Sequence, residues 1–255
     1  MFSRRLIVFL IIFYFIVGTT GAFAGRPLVI DDAPPVGPGQ LELELGLSHS
    51  LPNEGGREQR WPVMAWTYGL GKGWEVGLSV HRVNSDLKGD PPGKGFEDLH
   101  LATKYNFLGE GVYLPALAFS VDVKIPTANR HKGLSTGRAD ENLLLIATKR
   151  FSAVALDLNA GYLIASSPPE EKLKNRFSTG LALRWELDKQ WGLVGELHGQ
   201  SRKVRGERNE ANFQVGVKYL LADPLVFDAA VGRSLRPSGT SIQATLGLTW
   251  TFALF

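Results

Sequence analysis

From Gln40 to Phe252 the apolar residues of this chain recur at every second position, in about twelve stretches of roughly ten residues. Successive side chains of a strand point to opposite faces, so this alternation predicts strands with two unlike faces and excludes a helix-built fold. Leu41, Leu43, Leu45 and Leu47 interleave with Glu42, Glu44, Gly46 and Ser48. Trp74, Val76, Leu78 and Val80 interleave with Glu75, Gly77, Ser79 and His81. The pattern returns at Leu99–Tyr105, Leu117–Lys124, Val154–Asn159, Phe177–Glu186, Asn212–Tyr219 and Ile242–Phe252. Weaker strands are expected at about 61–70, 140–150, 191–201 and 225–233. In the second of these, Leu143 to Ile146 is apolar on both faces, so its parity is undetermined.

The connections alternate as well. Short turns fall at Gly71-Lys72-Gly73, Gly109-Glu110-Gly111, Phe151-Ser152, Asp188-Lys189-Gln190 and Ala222-Asp223-Pro224. Longer polar loops are expected at about 51–60, 84–96, 126–139, 166–175, 202–210 and 234–240. A soluble sandwich has no reason to alternate short with long. An outer-membrane barrel has short periplasmic turns and longer external loops, and its tilted strands are about ten residues long.

An export signal fits that destination. Arg4 and Arg5 precede the apolar run Leu6–Val17, and Ala22-Phe23-Ala24 is a small-x-small cleavage site before Gly25. The chain therefore divides into a cleaved leader at 1–24, a periplasmic segment at 25–39 and a barrel at 40–255. The absence of Cys excludes a disulfide framework and thiolate chemistry. A net charge of +3 is too small for a nucleic-acid footprint.

The faces sort by charge. The expected lumen-lining set is Glu42, Glu44, Glu75, His81, Asp98, His100, Lys104, Asp122, Lys124, Asp157, Arg184, Glu186 and Lys218. The expected lipid-facing set, without a charge, is Leu43, Leu45, Leu78, Leu101, Phe119, Val121, Leu156, Leu183, Val215, Leu246 and Leu248. Tyr68, Trp74, Tyr105, Tyr113, Trp185, Trp191, Tyr219 and Trp250 cluster beside the short turns, as an aromatic girdle at one membrane interface would.

With the strands placed, Arg26-Pro27-Leu28-Val29-Ile30-Asp31-Asp32-Ala33-Pro34-Pro35-Val36-Gly37, running into Gln40–Gly46, resembles the opening of the MetA-pathway of phenol degradation family. Leu114–Ala118 with Val123-Lys124-Ile125-Pro126-Thr127 is similar to its central hairpin, and Leu158–Tyr162 to a later strand. The resemblance implies an outer-membrane barrel with a role in the uptake of small, often hydrophobic compounds, and it carries over no catalytic residue. One departure is the end of the chain. The aromatic in phase with the lipid-facing set is Phe252, and Ala253-Leu254-Phe255 extends past it.

No His pair in this chain has metal-ligand spacing, and His81, His100 and His198 read as scattered wall residues. Asp31-Asp32 reads as a solvated turn beside Pro34 and Pro35. A barrel hydrolase would need a Ser and a His reachable from lipid, whereas Ser79 and His81 share the polar parity. The expectation is a monomeric, all-β, up-and-down barrel of about twelve strands, narrow in bore. It would pass small solutes without cofactor, metal or catalysis, and its partners would be outer-membrane lipids and the barrel-assembly machinery. The alternatives are a structural barrel without transport and, behind it, a barrel lipid hydrolase.

Overall fold

The computed structural model describes residues 25–53, 55–88, 92–166, 173–203, 209–236 and 240–254; the expected leader and Phe255 lie outside them. The strands are β1 (Gln40–Pro52), β2 (Gly56–Gly71), β3 (Trp74–Leu87), β4 (Gly93–Phe96), β5 (Leu99–Leu108), β6 (Ala116–Ile125) and β7 (Asp140–Phe151). They continue with β8 (Val154–Ile164), β9 (Arg176–Glu186), β10 (Trp191–Gln200), β11 (Glu210–Ala222), β12 (Leu225–Ser234) and β13 (Thr240–Ala253).

Each stave pairs antiparallel with the next, and β1 closes on β13 with Leu45 opposite Leu248. β4 is the exception: it and β5 both pair with β3, with Arg82 opposite Phe96 and Ser79 opposite His100. Three steps on β3 thus face four on its partner, and the extra residue bulges out at Glu97-Asp98. Twelve staves therefore close into a barrel, with β4 paired to β3 alone at one rim.

Two expected loops differ. β1 runs to Pro52 and β2 starts at Gly56, so most of the connection expected over 51–60 is strand. Alternation needs one apolar face; beyond the apolar band both faces are polar, and pairing continues without a sequence signal. The β5–β6 connection runs over 109–115, longer than the three-residue turn expected. At the β9–β10 turn the carboxylate of Asp188 accepts the amides of Gln190 and Trp191, and those hydrogen bonds hold it below the usual carboxylate range.

The faces are inverted relative to a water-soluble protein. Leu45, Leu78, Leu101, Phe119, Leu183, Val215, Leu246 and Leu248 are exposed, with Leu43, Val121 and Leu156 half-buried among their neighbours. Glu42, Glu75, Asp98, Lys104, Asp157, Arg184 and Lys218 are buried. β7 resolves its own parity: Leu145 is exposed, and Ile146 is fully buried against Ala33, Ala116 and Ala118. At the short-turn end Trp74 stacks on Tyr105 at 4.4 Å, Trp191 packs on Tyr219 at 4.5 Å and Trp250 on Phe252 at 4.6 Å. Tyr68 and Trp185 sit at the same end on β2 and β9. Tyr113 is not on a strand; it stands 92% exposed in the β5–β6 connection.

Candidate functional site: the barrel interior

Residues 25–39, expected ahead of the barrel on the periplasmic side, lie inside it. The segment enters at the short-turn end, where the Gly39 amide donates to Gly69 O. It then follows the wall round the bore. The Val36 amide donates to Glu75 on β3 (2.7 Å), Ala33 to Thr148 on β7 (2.9 Å) and Asp31 to Asn159 on β8 (2.9 Å). Val29 and Ile30 both donate to one oxygen of Glu196 on β10, at 2.8 and 2.9 Å. The carboxamide of Gln214 on β11 donates to Pro27 O, and the Arg26 amide donates to Glu44 on β1 (3.0 Å).

This pattern has a cause. An irregular segment has no ladder of its own, and an unmet buried amide costs about 1–3 kcal/mol. The polar wall supplies the acceptors that a partner strand would have supplied. Its small residues supply room: Gly46 and Gly247 face each other on β1 and β13, and a Cβ at either would collide with the guanidinium of Arg26. There Arg26 donates to Thr245 (2.6 Å) and Leu246 O (2.8 Å) and pairs with Asp228 (3.4 Å).

Asp31-Asp32, expected as a solvated turn, is instead clamped by two buried cations. Arg184 holds Asp157 through two hydrogen bonds (2.7 and 2.9 Å) and reaches Asp32 at 3.1 Å. Lys104 lies 3.3 Å from Asp31, 3.9 Å from Asp32 and 3.2 Å from Glu75. Glu42 accepts from Thr251 (3.1 Å), and Lys218 stands opposite Asp228 across β11 and β12.

Towards the long-loop end, Asp98 sits at the β4–β5 bulge and accepts Ala128 N (2.9 Å) and the Ser135 hydroxyl (2.7 Å). It thereby folds the 126–139 connection over the mouth, and Lys124, within reach of Asp98 and Asp140, donates to Thr136 (3.2 Å). His100 bonds Asp122 at 2.8 Å and His81 faces Glu97 at 3.9 Å, with the two imidazole rings 6.5 Å apart. Glu186 stands apart from all of these: it lies at the rim, 43% exposed, paired with Arg150. Sequence parity alone placed Asn159, Glu196 and Thr148 on strands; it carried no sign that they hold another segment's backbone.

Two cavities flank the segment. One of about 890 Å³, on the short-turn side, is lined by Asp31, Gln40, Glu42, Glu44, Thr67, Glu75, Lys104, Asp122 and Thr251. The other, about 1030 Å³, opens toward the long loops and is lined by Arg26, Arg60, His81, Glu97, His100, Lys124, Arg130 and Gln243. Arg26, Leu28 and Val29 border both, so the segment is the partition between them.

Solved structures share this architecture. A COG4313 outer membrane channel from Pseudomonas putida F1 superposes with a TM-score of 0.70 at 17% identity, covering 87% of this chain and 98% of that one. The NanC porin gives 0.56 at 7% identity (84% and 100% covered). The CymD monoaromatic hydrocarbon channel gives 0.50 at 9% (86% and 89%). At these identities the likeness establishes the fold. None of the curated proteins matches the chain. The sequence itself goes further, although its match starts at Trp66 and leaves out the amino-terminal stretch quoted above. The chain belongs to the family described as Putative MetA-pathway of phenol degradation, whose sequence model matches it over residues 66–252.

Proposed function

We propose that this protein is a monomeric outer-membrane channel for small solutes, hydrophobic or aromatic compounds among them, whose bore is narrowed by residues 25–39. The observation that carries the reading is the pair of cavities on the two sides of the segment, within a barrel that is apolar outside and polar inside. An apolar outer band is stable in hydrocarbon, and only a closed barrel or a helix satisfies its backbone there. The solute class is taken from the structural relatives, one of which is named a monoaromatic hydrocarbon channel. Passage needs no covalent step, so no residue is assigned as a nucleophile or base. The exposed leucines and valines of the outer face are the lipid contacts, and the aromatic residues near the short turns are the interface girdle.

The barrel inserted into planar bilayers tests this. Expected is a small ionic conductance that rises at least several-fold when residues 25–38 are deleted behind the leader. A second reading, a sealed structural barrel, is favoured by the hydrogen bonds that bind the segment to the wall around the bore. Zero conductance in the full chain, together with no swelling of liposomes in small aromatic solutes, selects that reading.

A further inference from the structure

Gly25 lies beside Glu44, inside the bore and on the side of the short-turn cavity. A Cβ on Gly25 would lie 2.2 Å from Glu44 Oε1, which places the Gly25 α-carbon against that carboxylate with its nitrogen one bond away. The next amide, that of Arg26, donates to the same oxygen at 3.0 Å. Gly25 is also the residue that follows Ala22-Phe23-Ala24, the small-x-small end of the basic and apolar leader. Two independent observations, one of sequence and one of position, meet at one peptide bond.

We infer that the Ala24–Gly25 bond is cleaved during export and that the α-ammonium so created is a working part of the lumen, paired with Glu44. Water adds across the peptide bond under an envelope signal peptidase; Ala24 leaves with the new carboxylate and Gly25 keeps the nitrogen, protonated at neutral pH. Charge supports the pairing. At this level β1 and β12 offer Glu42, Glu44 and Asp228, and the cations near them are Arg26 and Lys218. A third cation balances a cluster that is costly to bury with an excess of one sign. The φ of +71° at Gly25 is a left-handed value that glycine adopts freely, which lets the terminus bend toward β1. Processing and seating of the segment are then one event: an uncleaved chain would have to carry its leader through the bore to place Asp31-Asp32 on Lys104 and Arg184.

The inference rests on the barrel being exported, and its test does not use conductance. The full chain is expressed in a Gram-negative host and the barrel is purified from its membranes. Intact mass should correspond to Gly25–Phe255 with an unmodified amine. Acetic anhydride at neutral pH, with peptide mass readout, should label that amine at least tenfold more slowly in the folded barrel than after boiling. Glu44→Gln, checked for heat-modifiable migration, should recover most of that difference. A mature chain starting elsewhere, or equal labelling of folded and boiled wild type, overturns the proposal. If Glu44→Gln does not fold, the wild-type comparison alone decides.

Discussion

The inner wall has two halves that differ in what they touch. On β8 to β12 the inward residues Asp157, Asn159, Arg184, Glu196, Gln214, Lys218 and Asp228 are all buried, and the amino-terminal segment lies against them. Among the described residues none of β8 to β12 lines the short-turn cavity, which is bordered by β1, β2, β3, β5, β6, β7 and β13. The segment covers that half closely; on the other half it is held at Glu44, Glu75, Lys104 and Thr148, and space is left over beside it. A polar side chain on a barrel's inner face can be structural or functional, and only the segment's course tells which.

The sharpest way to break this contrast is to disarm the covered half. Arg184→Met removes the guanidinium shared by Asp157 and Asp32 and leaves two buried carboxylates without it. Loss of one partner from a buried pair costs about 3–5 kcal/mol. The urea midpoint of the folded barrel should fall accordingly, and conductance should rise as the segment loosens. On the open half, Asp122→Asn should change the unfolding free energy from urea titration by less than about 1 kcal/mol, since Asp122 is partly exposed and its bond to His100 can persist with an amide. Equal loss from the two would erase the distinction.

The outer face gives the next largest effect. Leu78→Arg puts a charge on the apolar band, where Arg costs about 2–4 kcal/mol near mid-bilayer. Ser79→Arg, one residue on, turns inward toward the open half and should be tolerated. Heat-modifiable gel migration after insertion separates them, and equal behaviour would mean that the faces are assigned the wrong way round. A smaller effect is expected from Trp74→Ala, which removes the stack on Tyr105 at the short-turn end. Such an aromatic pair is worth about 0.5–1.5 kcal/mol beyond its buried area, to be read as a modest drop in thermal midpoint.

Most of the barrel was legible because hydrocarbon imposes a period of two: each stave with one apolar face announced itself, and the short turns fixed their order. Legibility failed where that contrast vanishes. β2 above Trp61 carries Glu58 and Arg60 among polar neighbours on both sides, so its first turn of pairing with β1 and β3 read as loop. Leu144 and Ile146 on β7 face inward yet are apolar, because Ala33 needs a dry contact there, and that dry patch erased the alternation. The segment itself was the largest miss. Asp31, Asp32 and the prolines around them look like any solvated entry to a first strand. That they sit on Lys104 and Arg184 depends on residues 72 and more positions away, which no local pattern encodes. The acids of the wall were found by parity, but their partners were not.

The smallest expected effect concerns ion preference, and it sets the two cavities against each other. Among the residues lining the short-turn cavity, Asp31, Glu42, Glu44, Glu75 and Asp122 outnumber Arg26 and Lys104. The cavity toward the long loops has the opposite balance, with Arg26, Arg60, Lys124, Arg130 and Lys203 against Glu58, Glu97 and Asp98. Rings of carboxylates favour cations, and basic mouths concentrate anions. The acidic chamber should decide, because its acids Glu42 and Glu75 are buried, whereas charges open to solvent are screened within about 8–10 Å at physiological salt. A reversal potential in a low-salt gradient should therefore show a weak cation preference, reduced by Asp122→Asn and by Glu75→Gln. Glu75 also holds the Val36 amide and faces Lys104, so its variant should widen the bore as well as shift its charge, while Asp122→Asn should shift charge alone. An anion preference in the wild type would place the selective step in the outer cavity, and Arg60→Gln or Lys124→Gln would then be the variants that lower it.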